Sequence, residues 1–179
     1  MGDVATVAFD IGVPQHLMKT TIATNTAEGA PSPLNEMYWN WRSGYRHLVL
    51  NFAVTDGAAK SGAGYVHIGS RDCAGSENGK ALEDRDVCTH VNTPSAEVAD
   101  FDLATDTVGL DLRKLVGGVD FISPIYDPVT FEVIGQGRGV ECHSSPTQPD
   151  CAPIFSEVGL DMPTGTATAA SNAAFARMP

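Results

Sequence analysis

Five histidines, two tryptophans and four cysteines are the residues of this 179-residue chain whose types and spacing can do chemistry. The cysteines form two tight pairs, Cys73 with Cys88 and Cys142 with Cys151. An even count, short spans and the absence of CxxC or Cys/His zinc spacing favour disulfides over a metal cluster. In the chain-entropy model, a bridge closing a loop of ~15 residues contributes about 3 kcal/mol, so each pair matters in a small domain. Disulfides also imply an oxidising compartment, periplasmic or secreted.

With the cysteines committed, any soft or borderline metal must draw on His16, His47, His67, His90 and His143, since methionine is a weak ligand. His67 lies mid-strand in Gly64-Tyr65-Val66-His67-Ile68-Gly69-Ser70, and reads equally as a ligand or as a hydrogen-bonded core histidine. His16 follows Val13-Pro14 at the mouth of a long loop, where a solvated histidine is the plainer reading. His47 shares the register of Trp39 and Trp41 if the strand runs unbroken through Ser43-Gly44. His90 and His143 each lie beside a cysteine and read as surface histidines.

Trp39 and Trp41, two positions apart in Met37-Tyr38-Trp39-Asn40-Trp41, point to one face of a strand, as a packed aromatic surface or as part of a site. The acidic run Asp72, Glu77, Asn78, Glu83, Asp84 and Asp86 offers oxygen ligands suited to calcium, without matching an EF-hand. Nucleophilic catalysis finds no Gly-x-Ser-x-Gly elbow. Gly135-Gln136-Gly137-Arg138-Gly139 lacks the lysine and helix of a phosphate loop and reads as a turn.

The elements that must position these groups are short strands. Eighteen glycines, eleven prolines and 18% charged residues describe a loop-rich, all-β protein, and 42% hydrophobic content supports one sizeable core. The expected fold is a single disulfide-stapled, β-sandwich-like domain over residues 1–162, with a peripheral or poorly ordered tail over 163–179. A net charge of −11 argues against nucleic acid and anionic membrane surfaces as partners. No run approaches the roughly 20 apolar residues of a spanning helix. The opening Met1-Gly2-Asp3-Val4 has neither the basic nor the apolar region of a signal peptide, so export is inferred from the cysteines.

Strands are expected at Val4 to Ile11, Glu36 to Trp41, Tyr45 to Val54, Tyr65 to Gly69 and Thr107 to Leu112. Alternation places Leu48, Leu50 and Phe52 inside, and His47, Val49 and Asn51 on the reverse face. Leu112 to Val116 reads as one helical turn ended by Gly117-Gly118. Val119 to Tyr126 and Thr130 to Ile134 read as a hairpin across Asp127-Pro128.

Phe9-Asp10-Ile11-Gly12-Val13-Pro14, then Pro33-Leu34-Asn35, Met37 to Trp41 and Ser43-Gly44-Tyr45 follow one another in an order that resembles the MbnP family. The resemblance continues through His67-Ile68-Gly69-Ser70 before Cys73, Phe101-Asp102, Cys142 to Cys151, Ile154-Phe155 and Gly159-Leu160. These are also called four-cysteine metallo-mystery-pair proteins and are relatives of the copper-acquisition proteins CorA and MopE. The resemblance covers nearly the whole chain and implies an exported, mostly β protein encoded beside a dihaem peroxidase of the MauG type, also called MbnH-like. That partner oxidises a tryptophan to kynurenine, which binds copper with two histidines. Carried onto this sequence, the modified residue is Trp39 or Trp41, the first ligand is His67, which matches the histidine of the family's His-Leu-Gly-Ser segment, and the second is His16 or His47.

The resulting expectation is a copper-binding protein in copper homeostasis or acquisition, without turnover of its own and itself the substrate of a haem enzyme. Neutral imidazole suits copper, and kynurenine's aniline nitrogen carries a lone pair that the indole does not offer. The competing reading is an adhesion or recognition module that uses exposed tryptophans as its contact surface.

Overall fold

The computed structural model describes residues 6–16, 32, 34–40, 44–55, 61–73, 88–127, 129–130, 132–168 and 173–178. As expected, the protein is all-β with few and short helices. Its centre is a four-stranded sheet in the order β11-β4-β3-β2, with β2 at Tyr38–Asn40, β3 at Gly44–Thr55, β4 at Ser61–Gly69 and β11 at Val140–Cys142.

β3 and β4 pair antiparallel from Arg46 opposite Gly69 to Thr55 opposite Ser61. Alternation then divides their side chains as the sequence indicates. Val66 and Ile68 are fully buried, and Leu48, Leu50 and Phe52 pack on the same core. On the reverse face His67 pairs across the ladder with Val49, and Tyr65 with Asn51. The pairing slips between Arg46 and Leu48, so His47 is the extra residue of a β-bulge. Gly69 allows the approach at this point, because a β-carbon there would come within 2.5 Å of the Tyr45 carbonyl oxygen.

The inner layer is closed by β8 (Thr107–Leu110), β12 (Phe175–Met178) and the helix α3 (Cys151–Glu157), which bring Leu110, Phe175, Ile154 and Phe155 onto the core. Ladders of β1 (Thr6–Asp10) with β7 (Ser95–Ala99), β5 (Arg71–Cys73) with β6 (Cys88–His90), and β9 (Ile122–Tyr126) with β10 (Val133–Arg138) complete the sheets. A short helix α2 at Leu112–Leu115 forms where one turn is expected, its first amides capped by the Asp111 carboxylate. Both disulfides pair as the spacing implies, Cys73 with Cys88 and Cys142 with Cys151.

Three local readings change. Residues Leu34–Met37 form a helical turn, α1, ahead of β2, so the strand expected from Glu36 begins only at Tyr38. The glycine-rich segment read as a turn lies largely in strand β10, since glycines there oppose Ser123 and Ile125 of β9 in an antiparallel ladder. The tail expected to be peripheral from Pro163 onward contributes β12, which pairs with β8, and buries Ala174 completely. Its small residues conceal Phe175, the side chain that anchors it.

Candidate metal centre

Three strands deliver four rings to one place on the outer face of the central sheet. β4 carries His67 and Tyr65, two apart and therefore on one side. β11 runs parallel to β4, matching Glu141 to Tyr65 and Cys142 to Val66. The next step of that register sets His143 beside His67, and their Nδ1 atoms stand 3.0 Å apart. Trp39 of β2 reaches both imidazoles, with its ring centre 6.2 Å from each. Tyr65 lies 5.9 Å from His67 and stacks on His143 at 5.8 Å.

The position of His143 is fixed from several directions. Its backbone amide donates to Oε1 of Gln148, and the neighbouring Cys142 is bonded to Cys151 at the start of α3. The Ser144 hydroxyl donates to the His67 carbonyl and accepts from the Gly69 amide. These bonds tie the residues after β11 to the end of β4.

Hydrogen bonding assigns the protons. Nε2 of His67 is 2.7 Å from Oδ1 of Asn51, an oxygen that can only accept, so Nε2 carries the hydrogen. In a neutral ring Nδ1 is then bare, and the short contact between the two rings is Nδ1–H of His143 donating to Nδ1 of His67. Both rings favour neutrality. Burial, then the neighbouring His143 and the Arg46 guanidinium, push His67 down to about 4. Burial also lowers His143, with Glu141 opposing it and Arg46 adding to it. Glu141 lies 3.9 Å from Nε2 of His143, at the nitrogen away from His67.

A half-buried pair of neutral imidazoles with converging nitrogens suits a soft or borderline cation, for which imidazole–metal bonds of ~2.0 Å are the usual scale. Among the described residues no group of three His, Cys, Asp or Glu gathers to hold a metal. Among the described residues, Trp39 and Tyr65 are the aromatic side chains against the pair.

Of the expected site residues, His67 and Trp39 are brought together and His47 is not. The bulge turns His47 into the interior, 7% exposed, where its Nδ1–H donates to the Asn92 carbonyl. Gly12 lies directly against its ring, where a β-carbon would come within 2.8 Å of Cγ. Burial lowers its pKa, and it is a neutral core histidine. His16 is exposed at the end of the segment that follows β1, next to Gln15, whose side-chain oxygen accepts from the Cys88 amide.

Trp41 lies outside the described residues, as do Glu77, Asn78, Glu83, Asp84 and Asp86 of the acidic run. Asp72 of that run lies 2.8 Å from Nδ1 of His90 and 3.4 Å from Nε of Arg71, so an imidazole and a guanidinium already occupy it. His90 is also held through Nε2 by the Pro163 carbonyl.

His143 is the member of this cluster that the sequence reading left as a surface histidine. The available signal was the short apolar-polar-apolar run Val140-Glu141-Cys142, a three-residue strand whose last residue is a half-cystine.

An all-β, disulfide-stapled domain presenting a histidine pair under a tryptophan is the class that this fold and site define. The MbnP family model matches residues 1–131, and the chain belongs to the MbnP family. The matched segment contains Trp39 and His67 and ends before His143. Among solved structures, MbnP from Methylosinus trichosporium is similar in fold, with a TM-score of 0.62, 24% identity and 99% of this chain covered. This chain spans 63% of the length of that protein. No curated protein matches the sequence. Among the described residues no helix is long and apolar enough to cross a membrane.

Proposed function

We propose that the protein is an exported copper-binding member of the MbnP family, holding copper through Nδ1 of His67 and through Nδ1 of His143, whose hydrogen passes to Nε2 on the side of Glu141 when the metal displaces it. The single observation that carries this reading is the 3.0 Å approach of two neutral imidazole nitrogens beside Trp39. His143 thereby replaces His16 and His47 as the second ligand. Two disulfides support export, because such bonds persist in oxidising compartments.

The third donor in this reading is Trp39 after oxidation. An indole nitrogen has its lone pair in the ring and does not ligate. Insertion of two oxygen atoms across the indole C2–C3 bond, followed by hydrolytic loss of C2 as formate, leaves kynurenine with a free aniline. The oxidant is peroxide or dioxygen, handled by a partner haem enzyme of the dihaem MauG type. When bound, copper supplies an affinity for nitrogen donors that serves acquisition or homeostasis. The residues of this chain provide the neutral rings, exclude part of the solvent and set the Arg46 guanidinium near enough for its charge to disfavour protonation of both. No turnover by this protein is required.

The test is fragmentation mass spectrometry of the peptide containing Trp39 and Trp41 from protein made in its native cell, with Cu(I) titration of the same material. Kynurenine at Trp39 and loss of copper binding in His67→Ala and His143→Ala are expected. Intact Trp39, or copper affinity unchanged in both variants, would overturn the reading.

A further inference from the structure

The oriented atom of this site is Nδ1 of His67, and what orients it is on the neighbouring strand. Asn51 of β3 pairs across the ladder with Tyr65, which makes it a diagonal neighbour of His67 on the same face. At this spacing the short asparagine side chain reaches Nε2 at 2.7 Å, closer than the 3.0 Å contact of Nδ1 with His143. An imidazole can rotate about χ2, and only a partner at one nitrogen decides which nitrogen stays bare. The Asn51 oxygen has no proton to give, so it holds the hydrogen on Nε2 and leaves Nδ1 as the lone pair facing His143.

We propose that Asn51 is the positioning residue of the histidine pair, fixing the Nε2–H tautomer of His67 so that Nδ1 is the nitrogen presented for coordination. The metal-facing consequence rests on the copper reading above; the tautomer does not. Partners of this kind, which take the second N–H of a ligating histidine, set ring orientation and raise ligand basicity, and their loss typically costs 10–100-fold in metal affinity. Asn51 is itself exposed, so its replacement leaves the core under β3 and β4 intact.

The decisive measurement is long-range ¹H–¹⁵N correlation of the imidazoles in copper-free protein at neutral pH, with Cu(I) competition titrations on the same samples. The wild type should show His67 protonated at Nε2, Asn51→Ala should mix the two tautomers, and Asn51→Asp, which keeps an acceptor, should restore the single tautomer. Cu(I) affinity should fall about 10–100-fold in Asn51→Ala and recover in Asn51→Asp. An Nδ1–H tautomer of His67 in the wild type, or a tautomer indifferent to Asn51→Ala, overturns the proposal even if copper binds. Correct tautomers in a protein that takes up no Cu(I) would instead leave Asn51 as the positioning residue and remove the copper reading.

Discussion

Nδ1 of His143 lies 3.0 Å from Nδ1 of His67, although 76 positions separate the two residues in the chain. The parallel register of β11 on β4 closes that distance. The pair is therefore a product of topology, and each member should be as necessary as the other. His143→Ala is expected to weaken Cu(I) binding as severely as His67→Ala, beyond the roughly 10–100-fold cost of losing an outer partner. Competition titration against a Cu(I) chelator reads the result directly. A variant at His143 that keeps parental affinity would remove it from the site.

His47 should behave in the opposite way. Its ring fills the space against Gly12 and satisfies the Asn92 carbonyl from a buried position. Truncation in His47→Ala leaves a cavity and an unpaired acceptor, a combination that costs about 1–3 kcal/mol. Chemical denaturation should show this loss while Cu(I) affinity stays at the parental value. Loss of copper without loss of stability would restore His47 as a ligand.

Acid should act on stability and on the site together. His67, His143 and His47 all have folded-state pKa values below the usual 6.5, with burial the leading cause in each. Below about pH 6.5 the unfolded chain therefore binds more protons than the folded one, and stability falls as pH is lowered. The window for His67 runs from 6.5 down to about 4. Thermal unfolding of the copper-free protein should give a nearly constant Tm above pH 7 and a falling one between pH 6.5 and 4, with a shallower decline in His67→Asn. Copper retention should persist below pH 6.5 and fail as the pH approaches 4, where protons compete for Nδ1 of His67. Release centred at pH 6.5 would show that the rings are not held neutral.

Much of this arrangement was legible in the sequence, and the parts that were not share a physical cause. Alternation in β3 and β4 is strong because one face is buried, so Leu48, Leu50 and Phe52 were correctly placed inside. The same rule failed at His47, because a bulge inserts one residue and shifts the face of everything before it. Both disulfide pairings followed from spacing alone. His143 was concealed by the parallel pairing of a three-residue strand, a non-local contact that leaves no period of its own. Trp39 was legible as half of a tryptophan pair, yet its neighbours come from β4 and from the residue after β11, which no local pattern of β2 contains. Glycines at 135, 137 and 139 suggested a turn by composition, whereas close packing against Ile125 and Ser123 gives the small residues at 137 and 139 a reason within a hairpin.

The bond between Cys142 and Cys151 should matter more to copper than its contribution to stability alone. Cys142 is completely buried at the end of β11, and the residue that follows it is His143. The bridge anchors that end to the start of α3, whose Ile154 and Phe155 are seated in the core. Replacing both cysteines with serine should cost about 2–5 kcal/mol, as is typical for a native disulfide in a small exported domain. At temperatures where the variant is still folded, it should also bind Cu(I) more weakly, because β11 has only three paired residues to hold His143 in register with His67. The paired replacement at Cys73 and Cys88 serves as the comparison, since that bridge joins β5 to β6 and closes neither strand that carries the histidines. Calorimetric unfolding and Cu(I) titration on both variants separate the effects. Equal copper affinities at matched folded fractions would mean that backbone packing, rather than the disulfide, fixes the position of His143.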